Sequence, residues 1–202
     1  EGATAAVDAA LDGTLRQALA AGDLSGRAGE TAVFYTQGKL PARRVLVVGL
    51  GERGKFDLGA ARRASATAAR NVRALGAKTY ATVAHGLGLP GLDPQTAVQA
   101  LVEGAQLGLY RFRGYKSTLP EDWKPDPETM IVAEASAERA DTFQRGIARA
   151  MAVTTGVAMA RDMVNEPANR MTPTTMAGLA TQMAGELGLK FQVLGKTEMA
   201  DL

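Results

Sequence analysis

The stretch from Ser136 to Asn165 limits this chain most. Phe143, Ile147, Met151, Thr154, Val157 and Arg161 keep helical spacing over about 28 residues. Globular helices average about 11–12 residues, so a helix this long suits a bridge between two domains. Its end is fixed by chemistry. Pro167 disfavours helical geometry at Glu166, which stops the helix by Val164 or Asn165. Thr172 can then cap a new helix, with Pro173 in the first position, where its missing N–H costs nothing. Asn165 and Asn169 carry side chains suited to backbone groups that the break leaves unsatisfied. "NEPANRMTP" has no nucleophile, base or metal cage and reads as a joint.

Upstream of this helix, two periodicities alternate. Thr4–Ala21 has one helical stripe of Val7, Leu11, Leu15, Ala18 and Leu19. "TAVFYTQ" (31–37) and "RRVLVVGL" (43–50) read as strands around the turn "GKLPA". A helix follows from an Asp57 cap to Gly76, a third strand at 79–87, a helix opened by Asp93 and Pro94, and a fourth strand at 129–135. Beyond the joint, a helix over 173–187 and a short strand over 189–195 are expected. Strands alternating with helices imply an α/β fold, a mostly parallel or mixed sheet flanked by helices. The expected division is an N-terminal α/β domain (1–135), a linking helix (136–164) and an incomplete second α/β domain (165–202), too short for its own core.

Composition excludes some chemistries. There is no cysteine, hence no disulfide, thiol catalysis or cysteine-ligated zinc. No apolar run reaches the ~20 residues that span a bilayer, and the acidic start "EGATAAVDAALDG" lacks a signal peptide's basic region. A cytoplasmic protein is the simplest expectation. Net charge is only +2, yet Lys39–Lys78 holds ten Lys/Arg against two acids, Glu52 and Asp57.

Each candidate site has a plainer reading beside it. "GLGERG" (49–54) matches G-x-G-x-x-G after a strand, but no Asp or Glu lies between Asp57 and Asp93 to hold a ribose, so it reads as a tight turn. His85, the only histidine, sits at a strand end and reads as a core-edge or solvated residue. "LGLYRFRGYKS" (107–117) interleaves Tyr110, Phe112 and Tyr115 with Arg111, Arg113 and Lys116. That pattern suits either stacking on nucleic acid or a helix end with inward aromatics and cations at its negative pole. Arg62, Arg63, Arg70 and Arg73 face either DNA or solvent. Glu121, Asp122, Asp126 and Glu128 lie in a Pro-rich loop without the spacing of metal ligands.

Four stretches together resemble the leucyl (cytosol) aminopeptidase family. "ARDMVNEPANRMTPTTMAGLA" (160–180) is similar to the family's ARDLVNxPxNxxTP segment, and "EGAQLGLYRFRGYKS" (103–117) to its EGxxLGxYxFxxYKS helix end. "RRVLVVGLGERGKFD" (43–57) looks like its N-domain strand and turn, and "LGLKFQVLGKTEMADL" (187–202) like the approach to its active site. The resemblance implies a macro-domain-like N-domain and a hexameric hydrolase that removes N-terminal residues, leucine among them, from peptides. It also implies two divalent metals (zinc, manganese or magnesium) that activate a bridging water. The family's metal ligands and catalytic arginine fall beyond Leu202, so no catalytic, metal or substrate-binding residue is assigned here, and Lys196 and Asp201 receive no role. The expectation is an inactive portion of an active parent. The alternative is a binding or assembly module: the basic segment suggests DNA, and the macro-domain likeness suggests ADP-ribose.

Overall fold

A buried carboxylate settles where the first helix stops. In the computed structural model, which describes residues 2–87, 91–115 and 117–200, the expected Thr4–Ala21 helix is two helices. They are α1 (Ala3–Ala10) and α2 (Thr14–Ala21). Between them Asp12 and Gly13 take positive φ, 54° and 79°. Asp8, 5% exposed, accepts hydrogen bonds from the Leu15 and Arg16 N–H groups and from Arg16 Nε at 2.5 Å. It therefore serves the exposed donors at the start of α2, which an uninterrupted helix would not present. Burial alone would raise the Asp8 carboxyl. The hydrogen bonds and charge from Arg16, with that of Leu15, outweigh burial and hold it below its ordinary 3.8.

The chain forms two compact units, Glu1–Arg111 with Ser117–Val157, and Phe112–Lys116 with Ala158–Leu202. In the first, β1 (Thr31–Tyr35) and β2 (Arg44–Val48) pair antiparallel, Val33 opposite Leu46. Their turn uses positive φ at Gln37 and Gly38, and Thr36, 1% exposed, donates its hydroxyl to Ala42 O at 2.6 Å. β3 (Thr79–Val83) and β4 (Thr129–Ala133) pair parallel, Thr82 opposite Val132. The fold is thus mixed α/β as expected, but among the described residues the strands form two separate two-stranded sheets rather than one. A parallel pair needs a long crossover, which here contains α4 (Pro94–Leu109).

Helix signals read from the sequence match local geometry. Asp57 accepts from Ala60 N and starts α3 (Leu58–Ala74), and Gly76 past its end has φ 66°. Asp93 accepts from Thr96 N and starts α4. A core of Ala84, Val98, Leu101 and Phe143, flanked by Met130, Val132 and Ile147, lies between the β3–β4 pair, α4 and the long helix α5 (Ala140–Asn165).

α3 and α4 approach so closely that side chains are excluded at the crossing. A Cβ on Gly104 would lie 2.2 Å from Arg62 O, and one on Gly108 would lie 2.8 Å from Ala66 Cα. The facing stripe on α3 is small: Ala61, Ala64, Ser65 and Ala69 are all buried. Ser65 Oγ donates to Leu101 O at 2.5 Å across the contact. Arg62 Nε donates to the buried Glu103 at 2.5 Å, and Gln99 Nε2 donates to its other oxygen at 2.7 Å.

In the second unit, α6 (Pro173–Leu187) begins at the Thr172 cap and ends at Gly188, φ 67°. The short α7 (Lys196–Ala200) follows. The strand expected over 189–195 is absent. These residues have no regular structure, because among the described residues no strand offers them a ladder partner.

The α3–α4 crossing yields a stability test. Gly104→Ala forces two backbones apart, at a cost of about 3 kcal/mol and a Tm fall of about 6–12 °C for a chain this size. Thermal denaturation followed by circular dichroism measures it. An alanine variant with unchanged Tm would show that the helices do not meet at Gly104.

Candidate functional site

The glycines of "GLGERG" are occupied by packing. Gly49 donates to Glu30 O at 2.8 Å and accepts from Gly29 N at 2.9 Å, and a Cβ there would fall 2.1 Å from Arg27 O. Gly51, φ 79°, donates to Gly26 O at 2.9 Å. The segment lying against them is itself clamped. Glu30 accepts from Ser25 N, Ser25 Oγ and Gly26 N, and the Ser25 bonds first of all hold its carboxyl below the ordinary value. A 3₁₀ turn over Arg53–Lys55 follows, and α3 starts only at Leu58. The third glycine thus precedes the helix instead of opening it, unlike the dinucleotide fingerprint.

The four arginines of α3 divide into two pairs. Arg62 is tied to Glu103; Arg73 donates to Leu109 O and to Asp126, both at 3.1 Å. Arg63 and Arg70 are exposed. Asp126 also accepts from Arg111 at 2.8 Å, and the Arg111 guanidinium lies 5.3 Å from the centre of the Trp123 ring. Asp126 of the acidic loop thus holds both Arg73 and Arg111, although the buried Arg111 Nε itself has no hydrogen-bond partner among the described residues. Sequence spacing gave no sign of this, because the partners are 53 and 15 residues apart. Lys116 and Asp201 lie outside the described residues.

His85 is half-buried after β3, and burial depresses its imidazole. Among the described residues, no group of three or more His, Asp or Glu side chains could hold a metal ion. Tyr80, on the covered side of β3, has its phenol pushed up to about 12 by burial.

The joint is the best-built polar constellation of the second unit. Asn165 Nδ2 donates to Arg161 O at 2.8 Å and closes the last turn of α5. Pro167 O accepts from Arg170 N and Met171 N, and Thr172 Oγ1 accepts from Thr175 N at 3.2 Å. Asn169 is exposed. Tyr115 donates its hydroxyl to Glu166, whose bond and charge raise the phenol, and the Arg170 guanidinium lies 5.9 Å from the Tyr115 ring centre. Sequence reasoning treated Tyr115 and the joint separately. The pairing of residues 51 apart has no local signal. This cluster orders a chain turn and contains no activated nucleophile.

The architecture defines a class first: an α/β unit whose last long helix runs into a capped, proline-broken joint. The profile described as "Cytosol aminopeptidase family, N-terminal domain" matches residues 1–119. A relative named "Probable cytosol aminopeptidase" from Roseiflexus castenholzii is 42% identical over 184 residues, covering 89% of this chain and 36% of that protein. One of the same name from Syntrophotalea carbinolica is 38% identical over 193 residues, covering 96% and 39%. Among solved structures, the bottromycin maturation enzyme BotP in complex with Mn matches with TM-score 0.70 at 28% identity, over 89% of this chain and 36% of that one. A tomato leucine aminopeptidase matches in fold, with TM-score 0.74 over 90% of this chain and 34% of that one. The chain belongs to the cytosol aminopeptidase family, and it spans under two-fifths of the length of these relatives.

The Tyr80 environment makes a pH prediction. Its phenol is raised on folding, so the folded state holds a proton that the unfolded state releases above pH 10. The Tyr80 contribution to stability is constant below pH 10 and is lost as pH rises from 10 towards about 12. Urea titrations across that range should show the fall, and Tyr80→Phe should reduce it, leaving the smaller part that comes from the raised Tyr115 phenol. An equal slope in the variant would assign the loss to other groups.

Proposed function

We propose that this chain is the N-terminal portion of a metal-dependent leucyl aminopeptidase that removes N-terminal residues from peptides. The observation that carries it is the 42% identity running through both units, 184 residues in all, to a probable cytosol aminopeptidase. On this reading residues 1–135 are the N-terminal domain, 136–164 the linking helix and 165–202 the opening of the catalytic domain. The parent is a cytoplasmic homo-hexamer holding two divalent metals, zinc or manganese, with magnesium as a third option. The Mn named with BotP supports a divalent ion. The described residues do not fit such a centre, since none of them cluster as ligands. No step of the hydrolysis is therefore assigned to this chain, and no catalytic, metal or substrate-binding residue is placed in it.

Exposed apolar surface in the second unit supports the domain assignment. Val164 is 85% exposed and Leu187 66%, and Leu189, Phe191 and Val193 are each about half exposed. Ala184 is the one buried hydrophobic residue of that unit among the described residues. Burying such side chains is worth about 1.5–3 kcal/mol each, and the rest of a catalytic domain is their natural cover. The first unit also exposes apolar side chains, Leu19, Tyr35 and Ile131 among them, but it has a buried core of its own, and it serves as the assembly and entry-shaping module. A DNA-binding reading rests mainly on the exposed Arg63 and Arg70 of the α3 stripe, because Arg73 is held by Asp126 and Arg62 by its Nε to Glu103, which leaves only the Arg62 Nη groups uncommitted.

Two outcomes are expected. The 202-residue chain with manganese or zinc releases no p-nitroaniline from leucine p-nitroanilide above the blank, whereas the full-length parent does. Turnover by the short chain would overturn the placement of the site. Phe191→Asp should leave the Tm of the 202-residue chain within about 1 °C, as an exposed substitution does, while lowering activity of the parent at least tenfold. Full activity in that parent variant would remove Phe191 from the catalytic domain's core.

A further inference from the structure

One concavity of the first unit has no part in the proposed function. Leu58 and Arg62 of α3, Gln95, Thr96 and Gln99 of α4, and Arg149 of α5 line a cavity of about 350 Å³. Its walls are fixed by close helix contacts. A Cβ on Gly146 of α5 would lie 2.4 Å from Val98 Cγ1 and 2.5 Å from Gln95 O, and Gly104 sets the α3–α4 spacing. The volume falls at the low end of the roughly 300–1,000 Å³ typical of small-molecule pockets.

The donor inventory is unbalanced. Glu103 already accepts from Arg62 Nε and Gln99 Nε2. The cap carboxylates at the starts of α3 and α4 are committed as well, Asp57 to Ala60 N and Asp93 to Thr96 N. Both Nη groups of Arg62 are left without a partner among the described residues, and Arg149, exposed, forms no ion pair there. Arg145, one turn before Arg149, extends to Gln95 at 3.4 Å. Like charges four apart on a helix repel, and a bound anion would relieve the Arg145–Arg149 pair. Guanidinium groups bind planar or tetrahedral oxyanions in bidentate fashion.

We propose that this cavity binds a small organic oxyanion, a carboxylate or phosphate ester with an apolar body. The oxyanion takes the free Nη groups of Arg62 and the Arg149 guanidinium, the Gln95 and Gln99 carboxamides hydrogen-bond beside it, and Leu58 contacts the body. The site is remote in chemistry from peptide hydrolysis and does not depend on the peptidase reading.

Phenyl phosphate and benzoate, titrated into the 202-residue chain by calorimetry at constant ionic strength, separate the two oxyanion sources. At least one should bind saturably, and Arg149→Gln should weaken it about tenfold or more with the unliganded Tm unchanged. Binding of phenyl phosphate alone assigns a phosphate ester, and binding of benzoate alone assigns a carboxylate. No saturable binding of either, or equal affinity in wild type and Arg149→Gln, overturns the proposal.

Discussion

The distance between α3 and α4 governs the first unit. It is set where Gly104 meets the Arg62 carbonyl, a contact that no side chain larger than hydrogen permits. Around that contact everything else is arranged in short range. Ser65 bonds the Leu101 carbonyl one turn away, Arg62 reaches the buried Glu103, and alanines fill the rest of the interface. Helices this close gain dispersion contacts along their backbones and place Val98 and Leu101 against Phe143 and the β3–β4 pair. The stretch "EGAQLG" that helps mark the family thus has a packing reason. Its glutamate and both glycines, Glu103, Gly104 and Gly108, face α3.

The second unit has no comparable contact. Its order is local: a closed last turn at Asn165, a capped α6, and the Tyr115–Glu166–Arg170 cluster about the joint. Such polar contacts at exposed positions each add little, and the apolar side chains that would supply a core stand in solvent. This contrast ties the physical description to the family assignment. The N-terminal-domain profile covers residues 1–119 of the first unit, whose core is completed by β4 and Phe143 further along the chain, and the relatives matched are more than twice as long as this chain.

Local signals were legible in the sequence, and long-range ones were not. Asp57, Asp93, Thr172, Pro167 and Gly76 each set a helix end through their own backbone chemistry, so position alone reveals them. The split at Asp12 was hidden, because Leu11 and Leu15 keep one stripe on either side of it and only the buried Asp8 bonds show the break. The strand pattern at 189–195 was real as a pattern, but alternation states which face would be buried and not whether a neighbouring strand exists. The arginines were the least legible. Arg63 and Arg73 look alike in sequence, yet Arg73 is held by Asp126, 53 residues away. The unpartnered Arg62 Nη groups and Arg149 become visible only when three helices are assembled.

The central claim is that stability resides in the first unit around α3 and α4, while the second, with Ala184 its one buried hydrophobic among the described residues, is held by local contacts. Hydrogen exchange of the 202-residue chain, resolved by peptide, tests this directly. Amides of Leu58–Ala74 and Pro94–Leu109 should be the slowest to exchange, and those of 173–200 should exchange early, before any global opening. Equal protection of α6 and α4 would contradict the account, because it would mean that the second unit holds a core of its own.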